Sequence, residues 1–191
     1  MLQLYYAPRT RSRRVLWCLE EIGQPFDRNV LNLRAGEHKK SAYLAINPSG
    51  KVPALVDGEE VITESAAICM YLADKYADAR LAPAVNSPHR GEYLRWMFFA
   101  VGVLEPSFTD KRLGRAVTPK TGWSDADDVL TVVSQAMQNV PFLVGKSFSA
   151  ADIMVGSMLI WADSEGLIRE DAVLGDYVKR LTCRPAYLNS E

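Results

Sequence analysis

The chain has 191 residues, of which 48% are hydrophobic and 24% charged, as expected for a folded protein with one large domain or two small ones. Its 22 basic and 23 acidic residues nearly cancel, which argues against nucleic acid or an anionic membrane as a partner. No apolar run in the sequence approaches the roughly 20 residues of a membrane-spanning helix.

The start of the chain and its cysteines point to one compartment. Arginines follow the short segment 1–7, where a signal peptide would carry its apolar core. The three cysteines, Cys18, Cys69 and Cys183, are odd in number and widely spaced, so neither a disulfide framework nor a metal site is expected. We therefore expect a cytoplasmic protein that holds no metal.

Up to Tyr76 the hydrophobic pattern alternates between the periods of strands and helices. The predicted elements are a strand at 2–6, a helix at 15–22, a strand at 29–33, a short helix at 39–46, a hairpin at 54–62 turning at Asp57-Gly58, and a helix at 67–75. A parallel β-α-β half followed by a hairpin and a closing helix is the thioredoxin-like arrangement.

After Tyr76 the strand signals disappear. The proline-containing segment 78–87 is predicted to be a linker, and helical patterns follow at about 88–114, 125–140, 149–165 and 170–182. The sequence therefore predicts an α/β thioredoxin-like domain at 1–77 and an all-α domain at 88–191.

Val52-Pro53 lies at the start of a predicted strand, where a proline cannot donate to the ladder. A cis bond here would turn the Val52 N–H and C=O outward, free to pair with an extended peptide as an added strand. The alternative is a proline that simply begins the strand, and spacing alone leaves both open.

Glu64-Ser65 stands where the following helix begins. Ser65 and the first free N–H groups of that helix suit a carboxylate, and Glu64 beside them suits an ammonium group. The pair therefore fits a ligand that carries both charges on one carbon. A plain helix cap is the alternative interpretation.

The run NPSGKVPALVDG (47–58), followed by ITESAAICMYLADKY (62–76), resembles the glutathione-site signature of the glutathione transferase family in order and spacing. The resemblance extends over the whole chain. It implies the thioredoxin-like plus helical fold, glutathione as co-substrate and a homodimer. It also implies that Val52, next to a cis Pro53, binds the cysteinyl backbone of glutathione, and that Glu64 and Ser65 hold its γ-glutamyl end.

Two further features follow from the resemblance. His38, together with Lys51, is expected at the glycyl carboxylate, although without the family match His38 is an ordinary surface residue. Ser149 and Asp152 match the capping box at the start of the core helix of the family's second domain, and their expected role is structural.

The segment 5–14 (YYAPRTRSRR) is where the thiol of glutathione would be made a thiolate. A free thiol has a pKa of about 8.5, and a hydroxyl, a helix N-terminus and a cation each lower it. Family members differ here: alignment with serine-type enzymes places the hydroxyl on Thr10 or Ser12, and alignment with tyrosine-type enzymes places the phenol on Tyr5. Alignment with cysteine-bearing beta-type enzymes gives Arg11, which would stabilise the thiolate by its charge. We favour Ser12 and Thr10, assisted by Arg11. Ser12 is equally interpretable as a helix cap, and the two roles are compatible.

The absence of a cysteine from 5–14 argues against thiol-disulfide reductase chemistry, which needs a protein thiolate. The hydrophobic electrophile is expected between the domains, against Tyr6 and Arg9 on one side and Trp96 and Phe99 on the other, although such aromatics are more often core residues.

The resemblance therefore implies a detoxifying transferase that adds the glutathione thiolate to a small hydrophobic electrophile. The alternatives are a non-catalytic binding or regulatory protein on the same fold, like the stringent starvation protein group, or a glutathione-dependent peroxidase or reductase.

Overall fold

The computed structural model of the protein describes residues 1–168 and 170–190. The chain divides into two compact units, Met1–Ala79 with the closing segment from Pro185, and Arg80–Arg184. Within the described residues, none of the helices combines the length and the apolar character required to cross a membrane.

The first unit is built on a four-stranded sheet in the order β2-β1-β3-β4. Its strands are β1 (Leu2–Tyr6), β2 (Phe26–Val30), β3 (Ala54–Asp57) and β4 (Glu60–Thr63). β1 pairs with β2 in parallel and with β3 antiparallel, and β3 pairs antiparallel with β4. This mixed sheet confirms the predicted thioredoxin-like arrangement.

The helices of this unit are α1 (Ser12–Ile22), α2 (Ser41–Leu44), α3 (Ser65–Lys75) and a closing turn, α9 (Pro185–Leu188). α1 and α3 pack against each other, and their apolar faces are buried together with the inner face of the sheet. The completely buried residues of this core include Leu4, Leu19, Leu55, Ile68 and Leu72.

Two predicted boundaries in the first unit were wrong. The strand predicted at 29–33 runs from Phe26 to Val30, because its parallel register with β1 begins where Leu2 faces Phe26. Most of its side chains are exposed or half-buried, so it has little hydrophobic alternation to read. The helix predicted at 39–46 is a 3₁₀ turn followed by the single turn α2, because Lys40 between them is extended.

The β3–β4 hairpin turns one residue later than predicted. Asp57 still pairs with Glu60, so Gly58 and Glu59 form the two-residue loop. Gly58 has a φ of 64°, which a two-residue hairpin loop requires and glycine adopts without strain.

The closing segment belongs to the first unit, whereas the sequence-based domain boundary had placed it with the helices. The ring of Tyr187 in α9 meets Trp17 of α1 edge-on at 5.0 Å, and the Arg13 guanidinium lies 4.2 Å from the centre of the same ring. These contacts join the end of the chain to the outer part of α1.

The second unit contains α4 (Arg90–Phe99), α5 (Glu105–Leu113), α6 (Ala126–Met137), α7 (Ala150–Ser164) and α8 (Ala172–Thr182). α4 and α5 form one helical run that widens to π-helical geometry at Ala100–Leu104, so the predicted helix at 88–114 is present with an internal irregularity. α7 is the most buried helix of the unit and packs against α4 and α8.

Asp152 organises the start of α7. Its carboxylate accepts the Ser149 N–H at 2.8 Å, as in a capping box, and the Leu143 N–H at 2.9 Å. The Tyr177 hydroxyl of α8 donates to it at 2.7 Å. Complete burial raises the pKa of this carboxyl group, although each of these hydrogen bonds favours the ionised form. The predicted pair of Ser149 and Asp152 thus lies in the core, where its role is structural.

Candidate functional site

The loop between β1 and α1 carries the hydroxyl groups that the sequence predicted as thiolate contacts. Thr10 Oγ1 lies 2.7 Å from the carbonyl oxygen of Ala7 and 2.9 Å from Ser12 Oγ, and it accepts the Ser12 N–H at 3.2 Å. Because a hydroxyl has one proton, Thr10 donates to only one of these oxygens at a time. The two hydroxyls are therefore coupled. Thr10 is partly exposed and Ser12 is completely buried.

The same loop is electropositive. Arg11 occupies the N-cap of α1 with an exposed side chain, and the first turn of the helix contains no acidic residue. The preceding Arg9 has a φ of 57°, a left-handed conformation that residues other than glycine rarely adopt. The positive end of the helix dipole and the Arg11 charge both favour an anion at this place.

Tyr5, the alternative thiol contact, faces a different direction. Its hydroxyl donates to Gln3 at 3.4 Å, and its ring lies 5.9 Å from that of Tyr43. The phenol therefore points back along β1, away from the loop that follows the strand. Tyr6, the last residue of β1, is half-buried.

Asn47 builds the loop that leads into β3. This buried side chain donates to the Lys51 carbonyl at 2.8 Å and accepts the N–H and hydroxyl of Ser49 at 3.1 and 2.8 Å. The Tyr43 hydroxyl donates to the same Lys51 carbonyl at 2.5 Å. These bonds hold the main chain in place up to Val52.

Val52 itself stands outside the sheet, since β3 begins at Ala54. The Val52–Pro53 peptide bond is cis, as the family resemblance implied and as spacing alone had left open. The Val52 N–H and C=O form no hydrogen bond with any residue that the structure describes. They are therefore available to an extended peptide.

Gly50, which precedes Lys51, lies close to the main chain of His38. With φ at 58°, a Cβ on Gly50 would lie 2.8 Å from the His38 carbonyl oxygen and 2.6 Å from Lys39 Nζ, so only glycine fits this contact. The Lys51 side chain that follows is exposed, and the His38 ring is half-buried. In the described part of the chain, His38 Nδ1 is buried without a hydrogen-bond partner.

Glu64 and Ser65 open α3. Glu64 is exposed and has φ 67° and ψ 120°, a sparsely populated conformation that marks many functional sites. No side chain caps the helix, so its first N–H groups are available to an anion. Ser65, the first helical residue, is only 6% exposed.

Arg14 is a candidate site residue that sequence reasoning missed. Its guanidinium Nη1 lies 3.3 Å from Ser65 Oγ, and the side chain is 4% exposed. One signal was present: Arg14 falls on the apolar face of α1 with Val15 and Cys18, where a charged residue is unusual.

The sheet register gathers these pieces at one edge. The end of β1 lies beside the start of β3, since Tyr5 pairs with Ala54, and the end of β4 joins them, since Ala54 also pairs with Thr63. The loop 7–12 follows β1, Val52 stands just before β3, and Glu64 follows β4. The contact between Arg14 and Ser65 adds the start of α3.

Two cysteines lie in the same unit but offer no nucleophile. Cys18 and Cys69 are completely buried between α1 and α3, where the Cys69 thiol lies 3.7 Å from the Arg14 carbonyl oxygen. The hydrogen bond with Cys69 and burial raise the pKa of the Cys18 thiol well above its usual value. Cys18 is therefore a neutral thiol inside the core.

The aromatic residues predicted for an electrophile pocket differ in burial. Within the second unit, Trp96 is completely buried and meets the half-buried Phe99 edge-on at 5.2 Å. The Arg95 guanidinium lies 4.1 Å from the Trp96 ring centre. Trp96 is thus a core residue, as its spacing also allowed, and Phe99 is the more accessible of the two.

Comparison with known proteins supplies the family. A family model described as "Glutathione S-transferase, N-terminal domain" matches residues 10–75. The glutathione S-transferase GstA of Escherichia coli O157:H7 is 30% identical over 96% of this chain and 94% of its own. The disulfide-bond oxidoreductase YfcG of Escherichia coli K12 is 28% identical over 97% of this chain and 92% of its own length. The crystal structure of a theta class glutathione S-transferase from Xanthomonas axonopodis pv. citri, with glutathione bound, is 29% identical, with a TM-score of 0.82 over 99% of this chain and 96% of that one.

Proposed function

Because the chain belongs to the glutathione S-transferase family, we propose that it binds glutathione and adds the glutathione thiolate to a small hydrophobic electrophile. One observation carries this proposal. The loop 7–12, the unpaired Val52 backbone and the uncapped start of α3 meet at one edge of the sheet, within a single unit.

The three parts suit three parts of glutathione. The Val52 N–H and C=O pair with the cysteinyl backbone as an added strand. Ser65 and the first N–H groups of α3 bind the γ-glutamyl carboxylate, and Glu64 pairs with its ammonium group. Lys51, which follows Gly50, and His38, whose main chain Gly50 approaches closely, bind the glycyl carboxylate.

The thiol then lies near the start of α1. Lowering its pKa from about 8.5 by two units requires about 2.7 kcal/mol of preferential binding of the thiolate. The hydroxyl pair of Thr10 and Ser12 donates one hydrogen bond, and the helix dipole with Arg11 supplies positive charge. The thiol proton leaves to solvent, the sulfur forms a bond to the electrophilic carbon, and any leaving group departs with the electron pair of its old bond.

The second substrate is an electrophile with apolar surface. Its proposed contacts in the first unit are Tyr6, the last residue of β1, and Arg9 in the loop 7–12.

A cytoplasmic homodimer is part of the same proposal. Phe98 is 65% exposed and Val101, one helical turn later, is 37% exposed, an apolar pair on the outside of the second unit. A second copy of the chain is the proposed cover for them, as in many soluble oligomers. The net charge of −1 and the ordinary hydrophobic content of 48% give no reason to propose nucleic acid or a membrane as a partner.

A glutathione-dependent disulfide reductase is the second candidate function, favoured by the similarity to the disulfide-bond oxidoreductase YfcG. No cysteine lies in the loop 7–12, and Cys18 and Cys69 are buried, so we expect such a reaction to use the thiol of glutathione itself. A binding protein without catalysis is the remaining alternative.

Binding and activity measurements made in parallel separate the three functions. Glutathione binding is measured by calorimetry, and the thiol pKa of the bound ligand by ultraviolet absorbance of the thiolate across pH. Conjugation to chlorodinitrobenzene and reduction of hydroxyethyl disulfide are assayed in parallel. We expect a lowered thiol pKa and conjugation. Binding with an ordinary thiol pKa would leave a binding protein, and disulfide reduction without conjugation would leave a reductase.

A matched control tests whether a protein thiol takes part. Replacing the exposed Cys183 by serine, and then Cys18 and Cys69 as well, should leave conjugation unchanged if glutathione is the only nucleophile. Loss of activity on replacing Cys183 alone would contradict that assignment.

A further inference from the structure

Arg14 and Ser65 form a buried pair that links α1 to α3. The guanidinium Nη1 lies 3.3 Å from the serine oxygen, and the two side chains are 4% and 6% exposed. A guanidinium has only donors, so Ser65 Oγ must accept in this contact. The geometry therefore fixes one lone pair of Ser65 and leaves its proton for another partner.

The hydroxyl proton of Ser65 is available for a further hydrogen bond. In the part of the chain that the structure describes, the Ser65 hydroxyl donates to no acceptor. Around it lie the first N–H groups of α3, an 11-residue helix that no side chain caps. A buried hydroxyl proton, free helical N–H groups and a guanidinium behind them together favour an anion.

We propose that Arg14 is a positioning residue for the α-carboxylate of the γ-glutamyl group, acting through Ser65. The arginine holds Ser65 Oγ so that the serine proton points at the carboxylate, and its charge adds to the positive end of α3. This inference rests on the proposed function, because it assigns a further residue to the proposed glutathione site.

The neighbouring Arg13 shows that an arginine here need not serve the site. Arg13 Nε lies 3.3 Å from Ser190 Oγ, and its guanidinium stacks 4.2 Å from the Tyr187 ring centre. Arg13 is thus a structural arginine on the same helix, one residue away, and provides a matched control.

A second role for Arg14 concerns only its main chain. Its carbonyl oxygen lies 3.7 Å from the Cys69 thiol, which helps α1 to pack against α3. Substitution of the side chain leaves that contact in place. Effects on ligand selectivity can therefore be assigned to the guanidinium.

The test uses two ligands and three variants of the full chain. The ligands are glutathione and γ-aminobutyryl-cysteinyl-glycine, which differs from glutathione only in lacking the α-carboxylate and has the same thiol. The variants are Arg14→Met, Arg14→Lys and the control Arg13→Met. Calorimetry gives both affinities, and conjugation kinetics give KM for glutathione separately from kcat.

We expect Arg14→Met to weaken glutathione binding roughly tenfold, as the loss of one charge-assisted contact would, and to leave the affinity for the analogue unchanged. KM for glutathione should rise while kcat at saturation stays within about twofold. Arg14→Lys keeps the charge but not the planar fork, so it should fall between wild type and Arg14→Met. Arg13→Met should behave as wild type toward both ligands.

Several results would overturn the assignment. Equal loss of affinity for both ligands would show a merely structural role, and unchanged glutathione affinity in Arg14→Met would show no role.

If Arg14→Met does not fold, Arg14→Lys is combined with Ser65→Ala. Because Arg14 acts through the serine, the lysine change should then have no further effect on glutathione affinity, and an undiminished effect would refute the proposal. Wild type that fails to bind glutathione would refute the proposed function and this inference together.

Discussion

The Tyr177 hydroxyl donates to Asp152 Oδ1 at 2.7 Å, and both side chains are completely buried. The same carboxylate accepts the N–H groups of Leu143 and Ser149. A single side chain thereby joins the loop before α7, the first turn of α7 and the middle of α8. The core of the second unit depends on this polar centre as well as on apolar packing.

Replacing Asp152 by alanine should therefore destabilise the protein strongly. Four donors, the N–H groups of Leu143 and Ser149 and the hydroxyls of Ser149 and Tyr177, would lose their acceptor in the core, and each buried unsatisfied group costs about 1–3 kcal/mol. We expect a loss of about 3 kcal/mol or more in urea-induced unfolding. Tyr177→Phe removes one donor and leaves the carboxylate its other partners, so it should cost about 1 kcal/mol. A loss below that of Tyr177→Phe for Asp152→Ala would contradict the network.

Asp57 should make stability depend on pH in the acid range. A hydrogen bond from Lys75, and then one from Tyr71, holds the pKa of this carboxyl group below its ordinary value of about 3.9. Because the folded pKa is the lower one, the stabilisation is present above about pH 4 and is lost as pH falls through the folded pKa. The stability difference between wild type and Asp57→Asn should therefore shrink from pH 6 to about pH 2.5.

The measurement is the urea midpoint of both proteins at each pH. Asp127→Asn serves as the control, since it removes an ion-pair partner of Lys111 whose side chain is 76% exposed. A difference between wild type and Asp57→Asn that stays constant with pH would refute the assignment.

The coupled hydroxyls in the loop 7–12 should act as one unit on the thiolate. Thr10→Val and Ser12→Ala each break the same pair, so we expect each to raise the pKa of bound glutathione and to lower kcat/KM by roughly tenfold or more. The double variant should lose little beyond the stronger single variant. Full additivity, or wild-type behaviour of both single variants, would show that another group binds the sulfur.

Tyr5 and Arg11 distinguish the remaining possibilities. Tyr5→Phe should leave the thiol pKa unchanged, because the Tyr5 hydroxyl points back to Gln3. Arg11→Gln should raise the thiol pKa modestly, and salt should weaken its effect because the side chain is exposed.

Phe98 should determine the oligomeric state if a second copy covers it. Phe98→Glu places a charge on this exposed apolar pair and should shift a dimer toward monomer in sedimentation velocity. Val85→Glu is the matched control, since Val85 is 80% exposed but lies in the segment before α4. A dimer that persists in Phe98→Glu would place the interface elsewhere.

Local patterns predicted much of this protein. The alternation of apolar residues predicted β1 and α1, and the helices after Arg80 lie near their predicted ranges. Each of these features depends on the spacing of a few neighbouring residues, which is why the sequence alone determined them. The exposed β2, with its few apolar positions, shows the limit of that rule.

The tertiary structure decided what depends on residues far apart in the chain. Arg14 stands 51 positions before Ser65, and only the packing of α1 on α3 brings the two together. The folded chain also buries the Ser12 hydroxyl and the Trp96 ring completely. Burial and partners beyond one helical turn arise from the folded chain as a whole, so no local pattern contains them. The sequence determined the family and the segments of the site, and the fold decided which charges and hydroxyls meet within it.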